Sequence, residues 1–148
     1  METKQALETA LREAMRSKDG LSLRTIRMVV SSIKFAEIEK GAPLDEAGIL
    51  GILQKEVKSR REAIADAEKA GRPDLVELGQ AEIGILEQYL PKQMSEQELA
   101  ALIQYAIEET GAQSAADMGK VMKVLMPKIQ GRVPGDQVGR MVRSSLAG

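Results

Sequence analysis

The chain has 148 residues, 43% hydrophobic and 29% charged, with a formal net charge of −1. That is the composition of an ordinary globular protein, long enough to bury about 68–70% of its unfolded surface in one domain or two small ones. It contains no Cys and no His, which excludes disulfides, thiolate or imidazole metal sites and His-dependent catalytic triads.

The pattern reads as helices from end to end. Apolar residues recur at three- and four-residue spacing, and no alternating runs bounded by turns appear. A first helix is expected over 2–17, ending before Asp19-Gly20. A second covers 21–40 and stops at Gly41, with Pro43 beyond. A third runs from 46 to Ala70, capped by Asp45 and ended by Gly71. A fourth opens with Pro73 in its first turn and stops before Pro91. Ser95 and Glu98 make a capping box for a fifth, ended by Gly111. Ser114 with Asp117 caps a sixth, which is expected to weaken at Pro127. A seventh covers 135–146. The fold class is therefore all-α. A bundle of about four helices over 1–90 is followed by a smaller three-helix subdomain over 95–148, with 91-PKQMS-95 as the boundary.

Two apolar stripes are each interrupted once by a charge. In the third helix Ile49, Leu53, Val57 and Ile64 share their face with Arg60. In the fourth, Leu75, Leu78, Leu86 and Tyr89 share theirs with Glu82. Helices joined by a short turn are antiparallel neighbours, so Arg60 is expected to meet Glu82.

Charge is segregated along the chain. Residues 1–61 carry 12 basic and 9 acidic groups, residues 62–117 carry 3 and 12, and residues 118–148 carry 6 and 1. An overall pI near 5.7 argues against a general nucleic-acid binder, whose domains usually exceed about 9, and DNA is not an expected partner. A local basic surface is still allowed, because salt confines each field to about 8–10 Å. The tail supplies it. Lys120 and Lys123 lie opposite the stripe Met118, Val121, Met122 and Leu125. Arg140 and Arg143 share a face beside Val138, Met141 and Val142. Lys128 and Arg132 flank the turn at Ile129-Gln130-Gly131. A second basic stripe, Arg24, Arg27, Ser31 and Lys34, runs along the second helix, and Lys55, Lys58 and Arg61 sit on the third. Phe35, Tyr89 and Tyr105 are the whole aromatic complement and fall at or near apolar faces, so stacking of single-stranded bases is not the expected mode. The neighbouring serines Ser31-Ser32 and Ser144-Ser145 point about 100° apart on a helix and do not make a catalytic pair.

No nucleotide loop is present, no apolar run approaches the roughly 20 residues of a membrane span, and the opening METKQALETALREAM lacks a secretory core. A cytoplasmic protein is expected, without a metal or other cofactor.

Four stretches, 24-RTIRMVVSSIKFAEIEKG-41, 57-VKSRREAIADAEKAGRPDL-75, 82-EIGILEQYLPKQMSEQEL-99 and 117-DMGKVMKVLMPKIQGRVPG-135, resemble the YqeY family. Its members are free-standing relatives of the tail of the B subunit of the glutamine-dependent aspartyl/glutamyl-tRNA amidotransferase. With their spacing the stretches span nearly the full chain; 131-GRVPG-135 departs from the family, which commonly reads Ala-Asp in place of Val-Pro. The resemblance implies an all-helical protein and a role near tRNA, or near a tRNA-charging enzyme or amidotransferase. Its expected contacts are Lys120, Lys123, Lys128, Arg132, Arg140 and Arg143, with Gly119 and Gly131 allowing close backbone approach. The family commonly carries a carbon–nitrogen ligase label with glutamine as amide donor. That chemistry needs ATP and a separate glutaminase, and no catalytic residue for either is visible, so a non-catalytic tRNA-binding accessory module is the leading expectation and a protein–protein adaptor the second.

Overall fold

The structure is a computed structural model that describes residues 2–147. Seven α-helices and one short 3-10 turn account for its regular elements, and no strand occurs among the described residues. The helices are α1 (Glu2–Ser17), α2 (Gly20–Lys40), α3 (Glu46–Lys69), α4 (Pro73–Glu87), α5 (Glu96–Thr110), α6 (Met118–Ile129) and α7 (Gly135–Ala147), with the 3-10 turn at Ala115–Asp117 before α6. The chain forms two compact units, residues 1–91 and 92–148.

In the first unit α1 to α4 pack around Leu7, Val29, Ile33, Ile49, Leu53 and Leu86, all at most 2% exposed. The helix ends are set by side chains. Asp19 accepts the Ser22 N–H and Asp45 accepts the Gly48 N–H at 2.8 Å, each satisfying an amide that the first turn leaves without a partner. Gly41 ends α2 at φ 74°, a left-handed conformation that favours glycine. Between α2 and α3 the Glu37 carboxylate takes the Leu44 N–H at 2.9 Å and Lys4 Nζ at 3.0 Å, which ties α1, α2 and the loop together.

The α4 face differs from the expected stripe. Gly79, Ile83 and Leu86 are buried, whereas Leu75 and Leu78 are 43% and 41% exposed. Gly79 presses bare backbone against α3: a Cβ there would stand 2.6 Å from Ile64 Cγ1. Bulky apolar residues alone therefore pointed about one position away from the true contact line. Helix α4 also ends earlier than expected, at Glu87, and residues 88–90 turn before Pro91.

In the second unit α5, α6 and α7 close over Leu99, Ile103, Val121, Leu125, Val138 and Val142, all at most 1% exposed. Ser95 caps α5 by accepting the Glu98 N–H. Ser114 makes no side-chain cap. Asp117 instead accepts the Gln113 N–H at 3.0 Å and closes the turn ahead of α6. Pro127 lies inside α6, which continues to Ile129. The bond lost to a missing N–H is local, and burial of Val121, Leu125 and Ile129 on one face holds the last turn in place.

Candidate nucleic-acid interface

The six tail cations fall into two groups. Val121, Leu125 and Ile129 face the core, so helical geometry turns Lys120 and Lys123 to the opposite side of α6, and both are exposed. Lys120 approaches Asp117 Oδ1 at 3.6 Å and keeps 70% of its side chain in solvent. The Asp117 carboxyl is held below its ordinary pKa, chiefly by the Gln113 N–H and further by the charge of Lys120. Lys123, Arg140 and Arg143 are exposed, and no ion pair engages them among the described residues. Arg143 is located by Gly139: a Cβ on that buried glycine would stand 3.3 Å from Arg143 Nη2 and 3.7 Å from Met118 Cε. The guanidinium thus folds over bare α7 backbone next to the first residue of α6. Gly119 is exposed, with nothing within 4 Å of a would-be Cβ, and stands one turn before Lys123. Gly119, Lys120 and Lys123 on α6 and Arg143 beside its first residue form the first group, with Arg140 exposed about one turn of α7 before Arg143.

Lys128 and Arg132 form the second. Lys128 leaves α6 sideways and places Nζ 4.6 Å from the centre of the Tyr105 ring on α5, a cation–π geometry. Arg132 donates Nε to the Lys92 carbonyl at 2.9 Å and lies 3.8 Å from Glu98 Oε2. Its own carbonyl accepts the Met94 N–H. Gly131 is buried at φ 76° and its carbonyl accepts Gln93 Nε2 at 3.0 Å. Gly131 and Arg132 thus hold segment 92–94 onto the turn after α6, so backbone conformation accounts for this glycine without close approach of a ligand.

The aromatic expectation is corrected. Phe35 is 64% and Tyr105 52% exposed, while Tyr89 is half-buried. Phe35 interrupts the second basic stripe on α2, on the side turned away from Val29 and Ile33; residue type and spacing did not reveal that the first unit leaves it exposed.

Arg60 and Glu82 meet as expected, Nε to Oε2 at 3.3 Å. Two further partners had no signal in the apolar stripes. Glu56, one turn before Arg60, accepts Nη1 at 2.7 Å and also takes the Ser32 hydroxyl at 3.0 Å. Arg60 is 8% exposed, and two carboxylates from two helices satisfy its fork. A nearby groove of about 690 Å³ is lined by residues that include Ser31, Ser32, Phe35, Ile52 and Lys55. No cluster of three or more His, Cys, Asp or Glu able to hold a metal ion occurs among the described residues. No helix is long and apolar enough to cross a membrane.

A family model described as Yqey-like protein matches residues 4–146. The chain belongs to the YqeY family. It is also similar to proteins named altered inheritance of mitochondria protein 41, mitochondrial. The one from Pyrenophora tritici-repentis is 33% identical over 143 residues, which cover 93% of this chain and 77% of that protein. The one from Eremothecium gossypii is 32% identical over 153 aligned positions, gaps included, which cover 95% of this chain and 79% of that protein. The one from Kluyveromyces lactis is 44% identical over 85 residues, 57% of this chain and 46% of that protein. These relatives are named as mitochondrial proteins, and the expectation of a cytoplasmic protein is withdrawn on that finding. The polar opening of the sequence is no guide to compartment.

Proposed function

We propose that this chain is a non-catalytic RNA-binding module whose ligand is tRNA, gripped through phosphates and overall shape by the second unit. The observation that carries this reading is the first cation group. Lys123, Arg140 and Arg143 stand in solvent without a carboxylate partner among the described residues, Lys120 has only a loose one, and Gly119 leaves backbone open beside them. Cations so placed lose little on meeting a polyanion, and release of its condensed counterions supplies the affinity. Membership of the family adds the resemblance to the amidotransferase tail. A synthetase or amidotransferase acting on the same tRNA is the protein partner that goes with this reading.

The test is a fluorescence titration of bulk tRNA with the full chain across a range of salt. The pair Lys120→Glu and Lys123→Glu is expected to weaken binding at least tenfold at low salt, similarly for different tRNAs. It should also flatten the dependence of log affinity on log salt by about two phosphate contacts, roughly 0.7–0.9 each. Lys128→Glu, which removes the Tyr105 contact, is expected to change affinity much less. Unchanged affinity for the double variant refutes this surface.

A further inference from the structure

Helix α2 carries a ribbon of side chains that α1, α3 and α4 leave exposed. Met28 is 54%, Phe35 64% and Ile38 78% exposed, and Arg24, Ser31 and Glu39 are exposed along the same side. The buried residues Thr25, Ile26, Val29 and Ile33 fix the opposite side. Exposed apolar side chains in a continuous stripe mark a contact surface. Ile38 apart, the positions of this stripe are symmetric, with an apolar residue mirrored by an apolar one and a cation by an anion. Its midpoint lies between Ser31 and Ser32. Met28 and Phe35 are equidistant from it, about 5 Å along the helix axis, and so are Arg24 and Glu39, about 11 Å away at 1.5 Å per residue. A second α2 laid antiparallel across this midpoint sets Met28 against Phe35, Arg24 against Glu39 and serine against serine, each pair twice. That is the condition for an isologous two-fold contact.

We propose that α2 is the interface of a homodimer, two copies of this chain meeting antiparallel about an axis between Ser31 and Ser32. The small serines at the centre let the helix axes approach. The groove beside Phe35 and Ile52 receives the partner's Met28. The surface is held ready before contact: Arg60 Nη2 lies 3.7 Å from Met28 Sδ, and the Ser32 hydroxyl is fixed on Glu56. Glu39 at one end of the stripe disfavours a polyanion lying along it, whereas a second copy brings Arg24 to that end. Lys34, on the α1 side of the ribbon, and Arg27 lie at one rim, where Lys34 of one copy comes beside Arg27 of the other and solvent screens them. The contact is therefore apolar at its centre, and one helix face each puts it at the small end of specific interfaces.

Sedimentation of the full chain from micromolar to submillimolar concentration tests this. A monomer–dimer equilibrium that persists in high salt is expected. Phe35→Asp, at an exposed site, should leave the helical content unchanged and abolish the dimer. Glu39→Arg should weaken association severalfold, and adding Arg24→Glu should restore it. The native chain has no cysteine, so Ser31→Cys in oxidised glutathione should form a chain-to-chain disulfide much faster than Ser144→Cys. A protein monomeric throughout this range overturns the proposal. So does a dimer indifferent to Phe35→Asp, or crosslinking at residue 31 no faster than at residue 144.

Discussion

Gly79 and Gly84 lie on one helix, five residues apart, and the structure gives them opposite responses to the same substitution. A Cβ on Gly84 meets nothing within 4 Å. Gly84→Ala therefore gains only the reduced backbone freedom of the unfolded chain and a better helix former, about 0.5–1 kcal/mol. A Cβ on Gly79 would stand 2.6 Å from Ile64 Cγ1 and 3.0 Å from Cδ1, against a preferred carbon–carbon separation of about 3.5–4.0 Å. Relieving that overlap displaces Ile64 or the α3–α4 crossing by roughly 1 Å, and overpacking of this kind costs about 1–3 kcal/mol. The propensity gain is common to both sites and cancels in the comparison. Gly79→Ala should thus be about 1–3 kcal/mol less stable than Gly84→Ala. Urea denaturation followed by circular dichroism, with amide exchange in α4 assigning the change to the first unit, measures the difference. In an Ile64→Ala background both clashing carbons are gone, and the two alanine variants should converge. Equal stability in the native background would show that the helices do not cross as closely as Gly79 implies.

Thr25 is fully buried, and its hydroxyl is the buried side-chain polar atom without a hydrogen-bond partner among the described residues. Removing a desolvated, unpaired hydroxyl recovers up to about 1–3 kcal/mol, so Thr25→Val should leave the melting temperature equal or raised; a clear drop would mean that the hydroxyl is bonded. Glu37 is held below the ordinary glutamate pKa, first by the Leu44 N–H and then by Lys4. A depressed folded-state pKa gives stability that is complete above the unfolded value, about 4.3, and is lost as pH falls through the folded value. Glu37→Gln should therefore flatten the acid limb of the stability–pH curve, read by chemical denaturation at a series of acid pH values; an acid limb as steep as that of the native chain would remove Glu37 from the account.

Much of the architecture was legible because the signals are local. Asp45 and Ser95 announce helix starts by offering an oxygen to an amide three residues on, and Gly41 and Gly111 announce ends by accepting a left-handed φ. The Arg60–Glu82 contact was legible because each charge interrupts an apolar stripe and a short turn makes α3 and α4 neighbours. The remainder depends on what lies across from a residue. Gly79 carries no hydrophobic signal, yet it decides which face of α4 is buried. Glu56 sits beside the apolar stripe of α3, so nothing in the periodicity tied it to Arg60. Phe35 and Tyr105 are apolar by type, and only the packing shows them uncovered. Among the basic residues, type and spacing grouped Lys128 and Arg132 with Lys120 and Lys123. Their separation follows from the Tyr105 ring and the Lys92 carbonyl, which are about 23 and 40 positions away in the chain.

The two units spend their charges differently, and this makes the two proposed surfaces separable. In the first unit the buried Arg60 is satisfied by Glu56 and Glu82, so its charge fixes how α3 and α4 register and reaches solvent weakly. On α2 that unit leaves apolar side chains uncovered: Met28, Phe35 and Ile38. In the second unit most apolar residues close over one another, and the outer sides of α6 and α7 leave Lys120, Lys123, Arg140 and Arg143 in solvent. Burial of apolar area changes little with moderate salt and is strengthened by excluded salts. Phosphate contacts weaken steeply as salt rises, because the counterions they release are already abundant. Raising salt should therefore strip RNA from the chain while leaving chain–chain association in place. Loss of both at the same salt concentration would mean that one charged surface serves both, and the assignment of α2 to protein and of α6 and α7 to RNA would fail together.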